Sequence, residues 1–289
     1  MVNGLIEKES LVGGGWSDLS FSLSEHSPDG EPPMTTPDTT PIALITGGSR
    51  GLGRSMALHL AKRGVDVIFT YKSARAEAES VRDQIAARGR KAAALALDVG
   101  DSDGFEDFAA RVAAELERTF GRGRFDYLVN NAGTALYAPV AQTTAAQLDE
   151  AYRVHFKAPY LLTQRLLPLM NDGGRVLNVS SGLARMTYPG YAAYGAMKAA
   201  VETFTRYLAQ ELGPRRITAN VLAPGAIATD FGGGHVRDNA DLNKMIASAT
   251  ALGRVGLPDD IGAAVSLLLS PDARWLNGQR VEFSGGQNL

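Results

Sequence analysis

From Pro41 onward, short apolar runs rich in β-branched residues alternate with longer stretches whose apolar positions recur at helical spacing. Strands are predicted at residues 42–46, 65–71, 91–97, 126–130, 175–180, 217–222 and 280–283. Between them the pattern is helical at 51–63, on through Arg88 after the second strand, and at 102–119, 144–170, 191–212 and 258–270. Strand–helix alternation of this kind implies a parallel sheet covered on both faces. Right-handed crossovers then narrow the topology to a doubly wound, Rossmann-type α/β fold with a seven-stranded sheet over residues 41–289.

Residues 1–40 lack any such period. The segment 27–40 (Ser-Pro-Asp-Gly-Glu-Pro-Pro-Met-Thr-Thr-Pro-Asp-Thr-Thr) is rich in Pro, Thr and acid, and reads as a disordered tail. The first residues have neither the basic start nor the apolar stretch of a secretory signal, and Met34 would serve as an alternative initiator.

Composition narrows the function classes. The 289 residues carry a net charge of −2 with no concentrated basic stretch, which gives no reason to expect nucleic acid as a partner. No apolar run reaches membrane-span length. With no cysteine, disulfides and thiolate chemistry are excluded, and a cytoplasmic setting fits. The four histidines (His26, His59, His155, His235) show no metal-ligand spacing, so no metal site is expected.

Thr46-Gly-Gly-Ser-Arg-Gly-Leu-Gly53 follows the first strand and opens the first helix. Gly47, Gly51 and Gly53 allow a tight turn and close backbone approach, and the helix start offers unpaired N–H groups to a pyrophosphate. Ser49, Arg50 and Leu52 complete that candidate cradle. The second strand ends Thr70-Tyr71-Lys72-Ser73, without the carboxylate that would accept from an adenosine ribose. Lys72 and Arg50 are cations suited to a 2′-phosphate, so NADP(H) is expected over NAD(H).

Tyr194 and Lys198 stand four apart in Tyr-Gly-Ala-Met-Lys, on one helix face, with Ser181 upstream. A fixed cation near a phenol favours its ionised form, giving a proton donor and acceptor usable near neutral pH. Of the nine tyrosines, only Tyr194 has a lysine at this spacing.

Together with Asn130-Asn-Ala-Gly133, Asn178-Val-Ser-Ser181, Pro224-Gly225, Gly278-Gln279 and Ser284-Gly-Gly286, in this order, the chain resembles the short-chain dehydrogenase/reductase family. It looks most like the ketoreductases typified by 3-oxoacyl-[acyl-carrier-protein] reductases. The resemblance implies interconversion of a ketone and a secondary alcohol, with Tyr194 as general acid–base and Ser181 hydrogen-bonded to the substrate oxygen. Lys198 would hold the nicotinamide ribose and assist Tyr194. Asp98 and Val99 would meet the adenine, and Asn130, Ala132 and Gly133 the adenosine side, with Asn130 partly structural. Pro224, Gly225, Ile227 and Thr229 would border the carboxamide. Where many relatives have an asparagine feeding a proton path, this chain has His155, which either relays protons or packs structurally.

Two rival readings follow. Tyr191 and Lys198 have the spacing of the tyrosine–lysine pair in enoyl reductases of the same superfamily, which reduce carbon–carbon double bonds. A dinucleotide-binding sensor without turnover is the other, which fold alone leaves open. Met186, Tyr188, Phe231 and His235 are candidate substrate-wall residues, and Arg185 faces either solvent or an acidic group. The three glycines 232–234 suggest a lid hinge. Broad apolar surfaces on 155–170 and 191–212, with the resemblance, suggest a homodimer or homotetramer acting on a small carbonyl or alcohol substrate.

Overall fold

The computed structural model describes residues 40–289, so the expected disordered tail lies, but for its last residue, outside the described residues. In chain order the elements are β1 (Ile42–Ile45), α1 (Gly51–Lys62), β2 (Asp66–Tyr71), α2 (Arg75–Ala86), β3 (Ala92–Ala96), α3 (Phe105–Glu115) and β4 (Phe125–Asn130). Then follow α4 (Ala145–Tyr152), α5 (Ala158–Leu166), β5 (Met170–Val179), α6 (Ala192–Glu211), β6 (Thr218–Pro224), α7 (His235–Asp238), α8 (Ala240–Ser248), α9 (Pro258–Leu268) and β7 (Arg280–Phe283).

The sheet has seven parallel strands in the order β3-β2-β1-β4-β5-β6-β7. Successive residues of a strand face opposite ways. Ile42 and Leu44 enter the core under α3, α5 and α6, while Ala43 and Ile45 enter the core under α1, α2 and α9. Chain direction across the sheet reverses between β1 and β4, and it is beyond the carboxyl ends of the strands at such a switch point that open α/β sheets form their binding crevice. Asp66, at the opposite edge, accepts the Lys91 N–H at 2.9 Å and serves strand pairing.

Two helical expectations need correction. The stretch 144–170 is not one helix, and Met170 already belongs to β5. Between α4 and α5 lies a π-turn over Arg153–Lys157. Its cause is Pro159, which has no N–H and whose ring would clash with the carbonyl four residues back, that of His155. The stretch 102–119 likewise splits into a short 3-10 turn (Ser102–Gly104), α3 and a π-turn (Leu116–Phe120). Gly232, Gly233 and Gly234 all take positive φ (64°, 76° and 79°) and lead into α7 and α8, beside the crevice.

Candidate active site

At the β1 end the glycine turn is held from β4. Asn131 Nδ2 donates to the carbonyls of Thr46 (2.8 Å) and Gly47 (3.1 Å), and Thr46 Oγ1 accepts from the N–H groups of Asn131 and Ala132, each at 2.9 Å. Gly47 has φ +70°, and a Cβ on Gly53 would lie 2.1 Å from the Gly47 carbonyl oxygen. The N-cap of α1, Arg50, supplies no side-chain cap and the first turn holds no acid, so its leading N–H groups are open to an anion. Gly51 faces Thr229 across the crevice, its Cβ position 3.8 Å from that of Thr229. Ser49 is buried and Leu52 half-buried behind the turn. A dinucleotide fits this donor set: backbone N–H groups for its diphosphate, and no side chain in the way.

At the adenosine end Tyr71 closes β2, and Lys72 and Ser73 are exposed beyond it. Lys72 Nζ lies 2.7 Å from Asp98 Oδ2, an ion pair that holds the Asp98 carboxyl below the usual carboxylate range. The expectation of cations without a carboxylate is therefore modified, because Asp98 arrives from the neighbouring strand. Arg50 is exposed, and its guanidinium has no ion-pair or hydrogen-bond partner among the described residues. Val99 packs into the core. The Asn130 amide is buried and donates to Thr163 Oγ1 (2.9 Å) and Asn178 Oδ1 (2.8 Å), so its side chain ties β4 to its neighbours.

The Ser181, Tyr194 and Lys198 side chains come together where β5 ends and α6 begins. Tyr194 and Lys198 are buried, the Ser181 hydroxyl stands near enough to the Tyr194 phenol to favour its ionised form, and Ser181 Oγ accepts the Leu183 N–H at 3.1 Å. Lys198 Nζ sits 5.5 Å from the Tyr194 ring centroid and donates to the Val179 carbonyl at 2.8 Å. Burial pushes the Tyr194 phenol up, opposed by the Ser181 hydrogen bond and reinforced by Tyr191. Burial brings the Lys198 ammonium down to about 8, opposed by the Glu202 carboxylate. The net shift of the phenol in the free protein is therefore upward, with desolvation its largest cause.

His155, presented by the π-turn, is 2% exposed, and its ring meets that of Tyr194 edge-on at 5.0 Å. Nε2 donates to the Thr134 carbonyl at 2.9 Å, which fixes the tautomer and leaves Nδ1 a buried acceptor without a protein partner. Burial, then the Lys198 charge, lowers its pKa to about 3, against the Thr134 hydrogen bond. The imidazole is therefore neutral at physiological pH.

Aromatic rings surround Tyr194 on the side expected to meet substrate. Tyr137 and Tyr191 pack edge-on at 5.4 Å, Tyr188 and Tyr191 at 6.2 Å, and Tyr194 and Phe231 at 6.2 Å. Tyr137, Tyr188 and Phe231 keep 63%, 44% and 47% of their surface exposed, unusual for large rings beside a crevice. Tyr191 caps α6 among these rings, whereas Tyr194 is the one beside Lys198. Met186 is half-buried, with its methyl against Gly182. His235 opens α7, exposed, beside Gly233, and makes no ring contact with the tyrosines among the described residues. Ile227 packs over Gly256 in the loop after β6, beyond Pro224 and Gly225. Gly133 leaves room for the His155 ring. Arg185 grips Glu282 with two hydrogen bonds instead of facing solvent freely. Sequence reasoning missed Asn131, Tyr137 and the Asp98–Lys72 pair. A glycine turn needs a brace, which was a signal for Asn131; nothing local marks Tyr137.

A doubly wound sheet with a glycine-turn cradle and a buried Tyr–Lys helix beside it defines a nicotinamide-dependent oxidoreductase. The family described as Enoyl-(Acyl carrier protein) reductase matches residues 47–288. The hydroxynaphthalene reductase-like protein Arp2 of Metarhizium brunneum is 36% identical over 256 residues, 85% of this chain and 94% of that protein. Among solved structures, LugOII, described as a promiscuous reductase catalysing keto-reduction at C1 during lugdunomycin biosynthesis, superposes with a TM-score of 0.82. It shares 36% identity, covering 87% of this chain and 99% of its own. The angucycline C-6 ketoreductase LanV with bound NADP gives a TM-score of 0.82 at 33% identity, over 86% of this chain and 96% of its own. The chain belongs to the short-chain dehydrogenase/reductase family and is an NAD(P)-dependent oxidoreductase acting on C=O and CH–OH groups. No helix among the described residues is long and apolar enough to cross a membrane.

Proposed function

We propose that this protein is an NADP(H)-preferring ketoreductase of fused-ring aromatic ketones, with Tyr194 as general acid–base. The observation that carries the reading is the convergence of Ser181, Tyr194 and Lys198 beneath an aromatic wall of Tyr137, Tyr188, Tyr191 and Phe231. Flat rings stack on such walls, each pair adding about 0.5–1.5 kcal/mol beyond area burial. The relatives named for hydroxynaphthalene and angucycline ketones agree with that substrate class. Met186 adds an adaptable apolar contact, whereas His235 stands apart from the rings. A 3-oxoacyl thioester, long and flexible, matches the wall less well.

The backbone of Gly47, Gly51 and Gly53, with Ser49, Leu52, Ala132, Gly133, Gly225, Ile227 and Thr229 around it, would hold the dinucleotide; when bound, its nicotinamide supplies the hydride. Lys72 and Arg50 favour a 2′-phosphate, with Asp98 orienting Lys72. Ser181 Oγ accepts from Leu183 N–H, so its own hydrogen serves the phenol in the free protein and would turn to a developing oxyanion with substrate bound. The buried phenol stays protonated and is ready to donate in reduction. The Lys198 cation favours the phenolate left behind. His155, neutral, offers only its Nδ1 lone pair: it would accept from a solvent water that in turn donates a proton to Tyr194, or pack against the ring. Exposed aromatic groups on Tyr152, Tyr160 and Tyr207 fit burial in a homodimer or homotetramer, which light scattering would test.

Tyr194→Phe tests the assignment. NADPH binding should persist within about twofold while turnover of 1-tetralone drops by roughly a thousandfold or more. A matched enone and an acetoacetyl thioester complete the panel. Turnover surviving in the variant removes Tyr194 from the mechanism, and faster reduction of the enone carbon–carbon bond replaces this function with the enoyl reductase reading.

A further inference from the structure

Behind Ser181 runs a chain of alternating charges that the reaction as described does not use. Ser180 Oγ donates to Glu202 Oε1 at 2.6 Å, and the same oxygen accepts Arg280 Nε at 2.8 Å. Arg280 Nη1 donates to Glu282 Oε2 at 2.7 Å and Nη2 to the Ser181 carbonyl at 3.4 Å. Glu282 is gripped in turn by Arg185 at 3.0 and 2.8 Å and accepts Ser284 Oγ at 2.8 Å. Arg185 reaches the Gln287 carbonyl at 3.3 Å, and Gln287 Oε1 accepts the Ala226 N–H at 2.9 Å.

This chain joins four pieces of the site. Glu202 lies on α6 one turn beyond Lys198, Ser180 and Ser181 directly follow β5, Arg185 precedes the Met186 wall, and Ala226 follows Gly225. Stability alone accounts poorly for the arrangement. Glu202, Arg280 and Glu282 side chains are only 13%, 23% and 17% exposed, and desolvation of charges so placed offsets much of their attraction. Directional hydrogen bonds, by contrast, fix the position of a turn to fractions of an ångström, which is what a hydroxyl facing a reacting oxygen requires.

We propose that Glu202 is a positioning residue for carbonyl reduction: through Ser180 and Arg280 it sets the Ser181 turn, and through Glu282 and Arg185 it ties that turn to the substrate wall. The proposal rests on the catalytic reading of Ser181, Tyr194 and Lys198 given above. Glu202 also shares a helix face with Lys198, and its charge supports the ammonium. The groups facing Lys198 are Tyr194 and Glu202 from α6, neutral His155 from the π-turn and the Val179 carbonyl from β5. Those facing the Glu202 carboxylate are Ser180 from the end of β5, Arg280 from β7 and Lys198 one helical turn back, whereas Arg206 reaches only the Glu202 backbone carbonyl.

The test compares Glu202→Gln, Ser180→Ala and Tyr194→Phe in the full chain, with NADPH and 1-tetralone. Glu202→Gln keeps an acceptor for Ser180 but loses the charge. Its kcat should fall about tenfold, with NADPH affinity unchanged. The alkaline limb of its kcat profile should move down by about half a pH unit or more, since the neighbouring carboxylate no longer supports Lys198. Ser180→Ala removes only the hydroxyl contact and should lower kcat about threefold without moving that limb. A folded Glu202→Gln protein with wild-type kcat and limb overturns the proposal. Should Glu202→Gln fail to fold, wild-type kcat in Ser180→Ala overturns it as well. An inactive Tyr194→Phe beside an unaffected Glu202→Gln refutes the positioning role alone, whereas an active Tyr194→Phe refutes the reading beneath it.

Discussion

Replacing Lys198 by methionine should abolish turnover and at the same time reverse a pH dependence of folding. The ammonium is buried, and its pKa falls from 10.5 to about 8 in the folded chain. Between those values the unfolded chain holds the proton and the folded chain does not, so stability rises as pH rises across that interval. Over 2.5 pH units, at 1.36 kcal/mol per unit, the wild type gains about 3 kcal/mol on going from below pH 8 to above pH 10.5. Methionine at 198 has nothing to titrate and lacks this gain. It also leaves the Val179 carbonyl without its 2.8 Å donor, a loss of about 1–3 kcal/mol that is the same at every pH. Near pH 7 the two proteins should therefore differ little, with the wild type ahead by about 3 kcal/mol relative to that point at pH 10.5. Tyr194, whose phenol burial keeps protonated, pulls stability down as pH climbs above 10, but equally in both proteins. Urea unfolding followed by circular dichroism from pH 7 to 10.5 measures the difference. Parallel stability curves would refute the claim that Lys198 carries an unfavourable buried charge.

Two further outcomes follow from the site. Lys72→Glu puts a second carboxylate beside Asp98 and should weaken NADPH binding by about tenfold to a hundredfold while leaving NADH within about threefold, read by titration calorimetry. Equal losses for both cofactors would show that Lys72 does not meet the 2′-phosphate. Tyr137→Ala, which removes a ring 63% exposed beside Tyr191, should raise KM for a bicyclic ketone about tenfold and leave that for a small aliphatic ketone unchanged. A uniform change for both substrates would take Tyr137 out of the binding wall.

What could be seen in the sequence was local. The seven strands and the glycine turn announce themselves through apolar runs and through the residues that a tight turn needs, and Tyr194 with Lys198 through one helical repeat. What escaped depends on neighbours distant in the chain or on the balance of two opposed effects. Tyr137 meets Tyr191 only after β4 and α6 are packed, and Glu202 meets Arg280 across 78 positions. Asp98 reaches Lys72 because β2 and β3 are adjacent in the sheet. Spacing foretold that a lysine stands by the phenol, but not that water is excluded from both, and exclusion decides the direction in which each pKa moves. The unbroken helix expected over 144–170 ignored Pro159, whose missing N–H forces the wide turn.

That wide turn has a consequence for how this chain can vary in length. It accommodates one residue more than a regular helical turn, and Pro159 just beyond it holds the segment to that length. Shedding one amino acid around His155 would place the proline ring inside a regular helix, against the carbonyl four residues back. The imidazole that meets the phenol edge-on is presented by this same turn, so its place depends on the length being kept. A one-residue deletion here should therefore cost both the junction of α4 with α5 and the surroundings of Tyr194.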